Sequence, residues 1–263
     1  MGHDGLVVVE EPDGRVLGED LLGFLDQGDF FLLIPLGRRL AQVFIEFRVV
    51  VFHVIAGGLG IVCARAGVGK TAFLVQIALN IMLHGRSVLH VSLHDSVDKI
   101  GLWYQEVLSN LSEDRAPDNA DPFMERLLPC RFIMNYRAEG FTTAVLGDRI
   151  ADLAAKGVFN PDMAILDGWE FSEEDRESLQ SLKKTAQERS LCFWLTLRTH
   201  RHQAPSQSYP PPCLSGIEDL FDVILQLDPK GKEVHVNCIK GRPDDRSTRQ
   251  MLLDPSTMLV LSQ

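Results

Sequence analysis

Ala64-Arg65-Ala66-Gly67-Val68-Gly69-Lys70-Thr71 is the stretch on which the reading of the whole chain turns. It stands between an apolar run, Leu59 to Cys63, and a segment from Lys70 to Leu83 in which Phe73, Ile77, Ala78 and Ile81 recur at helical spacing. A strand that runs into glycines and then into a helix is the setting of a P-loop. Glycines let main-chain N–H groups close around phosphate oxygens, and the start of the helix adds its partial positive charge. In that arrangement Lys70 reaches the β- and γ-phosphates of a nucleoside triphosphate. The Thr71 hydroxyl takes a place on Mg²⁺. Ala64 stands where the general pattern begins with glycine, and a plain glycine turn followed by an incidental Lys-Thr is the competing reading.

Working downstream, strands and helices alternate. Ser87–Leu93 reads as a strand, 97–111 as a helix, Cys130–Asn135 as a strand and Thr142–Ala155 as a helix stopped by Gly157. Met163–Leu166 is a buried strand ending at Asp167, Glu173–Arg189 a charged helix, and Leu191–Leu197 another strand. Val223–Leu227, Val234–Ile239 and two short strands near Met251 and Leu259 finish the chain, while 112–121 and the Pro- and Ser-rich 203–213 are loops. Such alternation predicts an α/β fold with a mostly parallel central sheet flanked by helices over residues 56–263.

Upstream the pattern differs. Residues 6–17 read as a hairpin turning at Pro12-Asp13-Gly14, and apolar runs follow at Phe30–Ile34 and Val43–Ile55. Residues 1–55 are therefore expected to form a small β-rich extension that matches no motif and offers a surface for a protein partner. The leader MGHDGLVVVEEPDG carries acids where an export signal carries Lys or Arg. The most apolar window, Val43 to Val62, holds Glu46, Arg48 and His53 and is broken by Gly57-Gly58, which predicts buried strands and no membrane span. Five scattered cysteines, none spaced C-x-x-C, fit reduced thiols in a cytoplasmic protein. Lys and Arg total 26 against 36 Asp and Glu, and a formal charge of −10 argues against a surface that holds duplex DNA by charge.

The loop from Ala64 to Thr71, with Ala72-Phe73 after it, resembles the P-loop of hexameric replicative helicases of the DnaB type, and more broadly the RecA superfamily that includes the KaiC-like ATPases. The resemblance covers about residues 57 to 261. It implies a RecA-like fold, ATP and Mg²⁺ as ligands, and a homo-oligomer, ring or filament, with nucleotide sites at subunit interfaces. Met163-Ala164-Ile165-Leu166-Asp167 then resembles a Walker B strand, whose acid holds a water on Mg²⁺; alone, a strand ending in Asp-Gly is an ordinary turn.

The same resemblance implies roles for further residues. Ser92-Leu93-His94-Asp95-Ser96 stands where these helicases carry Ser-Leu-Glu, whose Glu activates the attacking water. Here that place is His94, and Asp95 and Glu170 are the carboxylates available to replace it. Lys240-Gly241-Arg242 resembles the Lys-x-Arg pair that reaches into a neighbour's nucleotide site; a solvated strand end is the bland alternative. Arg198 occupies the place of a γ-phosphate-sensing Gln. Beyond it, Thr199-His200-Arg201-His202-Gln203 and Tyr209 stand in the segment that touches single-stranded nucleic acid in related rings. Three prolines and the acidic balance disfavour that partner. Two functional expectations follow: an oligomeric Mg-ATP-dependent ATPase, or a nucleotide-loaded switch or scaffold with hydrolysis weakened by His94. A single-stranded-DNA motor ranks below both.

Overall fold

The computed structural model describes residues 56–111, 126–199, 212–241 and 251–262. The extension read at 1–55, most of the loops at 112–121 and 203–213, and Arg242 lie outside them. In chain order the described elements are β1 (Leu59–Ala64), α1 (Lys70–Leu83), β2 (Val88–Ser92), α2 (Val97–Leu111), β3 (Arg131–Asn135), α3 (Thr143–Ala155), β4 (Met163–Asp167), α4 (Arg176–Arg189) and β5 (Cys192–Arg198). The chain continues through β6 (Val223–Lys230), β7 (Glu233–Lys240), β8 (Met251–Leu253) and β9 (Val260–Ser262). The strands form one sheet in the order β3-β2-β4-β5-β1-β6-β7-β8-β9. From β3 to β6 neighbouring strands are parallel, and from β6 to β9 they are antiparallel. The expectation of an α/β fold with a mostly parallel sheet flanked by helices therefore holds.

Both faces of the parallel part are covered, and the period of two in the strands sorts side chains between them. Val62 and Ala64 of β1, Met163 and Ile165 of β4, and Cys192 and Trp194 of β5 face the layer that contains α1 and α2. Leu59, Ile61, Cys63, Ala164, Leu166, Phe193 and Leu195 face the layer that contains α3 and α4. This double cover explains why β1, β4 and most of β5 read as continuous apolar runs with no alternation.

One helix differs from its sequence expectation. The spacing of Phe73, Ile77, Ala78 and Ile81 predicts a helix with one apolar face, yet every residue from Ala72 to Leu83 is buried. The sheet covers one side, and α2 with the β8–β9 hairpin covers the rest, contributing Tyr104, Leu108, Leu253 and Leu259 to the same core. Gln76, only 2% exposed, ties that hairpin down. Its amide donates to the Met258 carbonyl at 2.6 Å, and its carbonyl oxygen accepts from the Val260 N–H at 2.9 Å. Asn110 of α2 adds a bond to the Thr257 carbonyl at 2.9 Å.

At the other helices the local signals behave as their chemistry requires. Thr142 caps α3, its hydroxyl accepting from the Val145 N–H at 3.1 Å. The helix expected from Glu173 begins at Arg176, because Ser172 and Asp175 close a capping box around a short 3₁₀ turn, Glu173–Asp175. No helix among the described residues is long and apolar enough to cross a membrane.

The tie through Gln76 makes the C-terminal hairpin an accessory of α1. Gln76→Leu leaves a buried N–H and a buried carbonyl without partners, and is expected to cost about 2–4 kcal/mol in urea unfolding. Amide exchange should rise first at Val260, before the rest of the sheet. Unchanged stability would show that the hairpin holds to α1 by apolar contact alone.

Candidate functional site

The strand order determines where chemistry can collect. From β1 the chain crosses to β2 and β3 through helices on one face; from β4 it returns through α4 on the other. Neighbouring strands whose connections leave to opposite faces open a crevice at their carboxyl ends. Here that occurs at β2, which is followed by α2 on one face, beside β4, which is followed by α4 on the other. A cleft lies at these ends, lined by Ala66, Lys70 and Thr71 after β1, and by Ser92, His94 and Asp95 around the end of β2. Asp167, Gly168, Trp169 and Glu170 follow β4, and Thr196 and Arg198 close the cleft from β5.

The loop from Ala64 to Thr71 wraps the start of α1 with little side-chain bulk. Gly67 has φ +76° and Gly69 φ +102°, backbone that L side chains rarely adopt. Gly69 immediately precedes α1, which has no side-chain cap and no acid in its first turn. The first-turn N–H groups of a 14-residue helix thus face the cleft with no capping side chain of their own. Arg65, Ala66 and Gly67 are exposed, Val68 and Gly69 half-buried. The Lys70 ammonium lies across the loop, donating to the Ala64 and Arg65 carbonyls at 3.1 Å each. Burial lowers its pKa from the usual lysine range; Asp167 opposes that shift and the nearby Arg198 charge adds to it. Two cations therefore sit close together in a chain of net charge −10.

The cleft floor is a polar row in an otherwise apolar sheet. Ser92 pairs with Asp167 in register, and Leu166 with Leu195, so Asp167 and Thr196 come side by side. Ser92, Asp167 and Thr196 are 2%, 8% and 2% exposed. Their parity places all three on the face that carries α1. The Thr71 hydroxyl donates to Asp167 Oδ2 at 2.7 Å, across 96 positions of sequence. The Thr196 hydroxyl donates to Asp167 Oδ1 at 2.7 Å and accepts from the Gly168 N–H at 2.9 Å. Ser92 Oγ accepts from the main-chain N–H groups of Asp95 at 2.9 Å and His94 at 3.4 Å, which shapes the turn into α2. One row below, His90 is fully buried against the Tyr104 hydroxyl, and burial pushes its pKa down to about 4.

The three candidates for a base sit differently. His94 is exposed, and its ring lies over Gly168, where an added Cβ would come within 2.6 Å of His94 Cδ2. Asp95 is held by Lys99 at 2.7 Å. Glu170 is exposed at the cleft rim. The turn that carries it is anchored by Trp169, which packs edge-on to Phe141 at 5.7 Å and against Phe171 at 4.9 Å.

Of the residues singled out in the sequence, Lys70, Thr71, His94, Asp95, Asp167, Glu170 and Arg198 meet in this one cleft. Lys240 does not line it: its ammonium donates to the Glu218 carbonyl at 3.0 Å. Arg242 lies outside the described residues. Sequence reading passed over Thr196 and the capping role of Ser92, and took Gly168 only as part of an Asp-Gly turn. A signal for Thr196 existed, since it is the one uncharged polar residue in Cys192–Arg198. No family model matches the chain, and neither does any curated protein sequence.

Gly168 is required twice, by its φ of +86° and by the ring above it. Gly168→Ala is expected to lose about 1–2 kcal/mol from the backbone alone, with a further loss from the clash. Adding His94→Ala should recover the clash part only. Equal stability of the single and double variants in urea would show that the ring does not rest on the glycine.

Proposed function

We propose that this chain is a RecA-like P-loop protein that binds Mg-ATP and hydrolyses it to ADP and phosphate. The observation that carries the reading is the 2.7 Å bond between Thr71 and Asp167, which joins the end of the glycine loop to an acid at the end of a neighbouring strand. The residues present suit the ligand. Uncapped N–H groups, Lys70 and Arg198 offer an anion site. Lys70, held meanwhile by loop carbonyls, is free to exchange them for phosphate oxygens. Thr71 and Asp167 are the hard oxygen donors that Mg²⁺ prefers, one or two from protein with phosphate and water completing the shell. Bound Mg²⁺ would offset the charge of the β- and γ-phosphates.

The chain's own groups then divide the work. Lys70 binds the β- and γ-phosphates, and Arg198, exposed at the end of β5, meets charge on the outermost one. His94, Glu170 and Asp95 are the groups available to orient a water, Asp95 with its Oδ1 engaged by Lys99. That engagement favours a second reading: a nucleotide-dependent switch or scaffold in which hydrolysis is slow. Assembly into a ring or filament through Lys240 and Arg242 is supported by the resemblance alone, and a single-stranded nucleic acid partner ranks below it.

Lys70→Ala is expected to weaken ATP binding by roughly tenfold to a hundredfold, the worth of a hydrogen bond to a charged group, with the melting curve unchanged. Equal affinity of variant and wild type in calorimetric titration would sink the P-loop reading.

The two readings of turnover separate on one substitution. If His94 is what slows hydrolysis, His94→Glu should raise the rate of phosphate release, on a scale bounded by the 10²–10⁴ that general acid–base catalysis supplies. A wild type already turning over at several per second, insensitive to this change and reduced by Glu170→Gln, would make Glu170 the working base.

A further inference from the structure

We infer that Thr196 is a positioning residue for the magnesium site: its hydroxyl clamps Asp167 so that one carboxylate oxygen faces Thr71 and the phosphates. The inference rests on the Mg-ATP reading above and concerns a residue to which that reading gives no task.

The hydrogen-bond directions leave little freedom. The Gly168 N–H can only donate, and it does so to Thr196 Oγ1 at 2.9 Å. The single hydroxyl proton of Thr196 is then directed to Asp167 Oδ1, 2.7 Å away. Asp167 Oδ1 is thereby committed to the sheet. Oδ2 is the oxygen that takes the Thr71 hydroxyl. When Thr71 turns toward a metal, Oδ2 is released and Oδ1 is not, so the carboxylate keeps its orientation through the exchange. Thr196 lines the floor of the cleft at 2% exposure, and its one hydroxyl proton is already given to Asp167.

The same hydroxyl also holds the turn after β4. Gly168 leaves the strand with φ +86°, and its N–H has no β-ladder partner to replace Thr196. One side chain from β5 thus sets both the acid and the turn that carries Trp169 and Glu170 into the cleft. Thr196 therefore acts through Asp167, to which its only hydroxyl proton is committed. A ligating group's hydrogen-bonded partner commonly carries 10- to 100-fold of metal affinity.

The test is a binding experiment on the full chain. A fluorescent ATP analogue is titrated in EDTA and at a series of Mg²⁺ concentrations, for wild type, Thr196→Val, Thr196→Ser and Lys70→Ala. Thr196→Val keeps the shape and removes the hydroxyl. It is expected to raise the Mg²⁺ concentration at half-effect by about tenfold or more while leaving affinity in EDTA unchanged. Thr196→Ser should restore the wild-type Mg²⁺ dependence. Should Thr196→Val fold poorly, Thr196→Cys, which keeps a weak donor, is expected to fall between wild type and a full loss. A Mg²⁺ dependence unchanged in Thr196→Val or Thr196→Cys overturns the inference. So does an equal loss of affinity with and without Mg²⁺, the mark of a merely structural residue. Lys70→Ala separates the two levels. If it binds as the wild type does, the Mg-ATP reading fails and takes the inference with it; if it alone loses affinity, the inference fails by itself.

Discussion

Parallel pairing of β1 with both β5 and β6 is the constraint from which the rest of the molecule follows. A parallel strand cannot turn back directly onto its neighbour, so every step of the sheet from β1 to β6 needs a crossover, and each crossover covers a face. Since β4 and β5 lie between β2 and β1, four carboxyl ends are brought together from segments widely separated in sequence. The glycine loop, the turn into α2, the Asp167-Gly168 turn and the end of β5 meet for that reason.

The cost of this arrangement is visible in the polar row. Ser92, Asp167 and Thr196 sit in a sheet buried on both faces, where an unpaired oxygen or N–H would cost free energy. Each is satisfied by a partner that also fixes a position. Ser92 caps the turn that presents His94 and Asp95, and Thr196 and Thr71 take the two oxygens of Asp167. A network with every member satisfied holds its geometry, and geometry is what a phosphate site requires.

The C-terminal hairpin extends this support to the loop itself. Leu253 and Met258 pack against Gly69, where an added Cβ would come within 3.0 Å and 3.1 Å of their side chains. Met258 adopts φ +57°, unusual for its residue type, with Gln76 bonded to its carbonyl. The last described strands are therefore part of the wall on which the N-terminus of α1 rests. Antiparallel strands suit this task, because β8 and β9 reach α1 without needing another crossover.

Most of the fold was legible in the residues themselves. The strand–glycine–helix order, the β-α alternation and nearly every element boundary follow from local signals: apolar runs, helical spacing and caps such as Thr142. Candidate site residues were legible where chemistry has a signature over a few positions, as in Gly67-Val68-Gly69-Lys70-Thr71, or ends a strand, as at Asp167 and Arg198. What stayed hidden depends on contacts between distant segments. Burial of α1 on every side is completed by a hairpin 184 positions away, as Gln76 and Val260 record. The engagement of Asp95 by Lys99 is the exception, a local pair four positions apart that the sequence reading passed over. Thr196 looks like a strand residue until β5 lies beside β4. Sequence by itself determined which backbone each segment prefers, because propensity and periodicity act over a few residues. Tertiary structure alone decided which polar groups share a proton, because the 2.7 Å bond from Thr196 to Asp167 requires two strands to be in register.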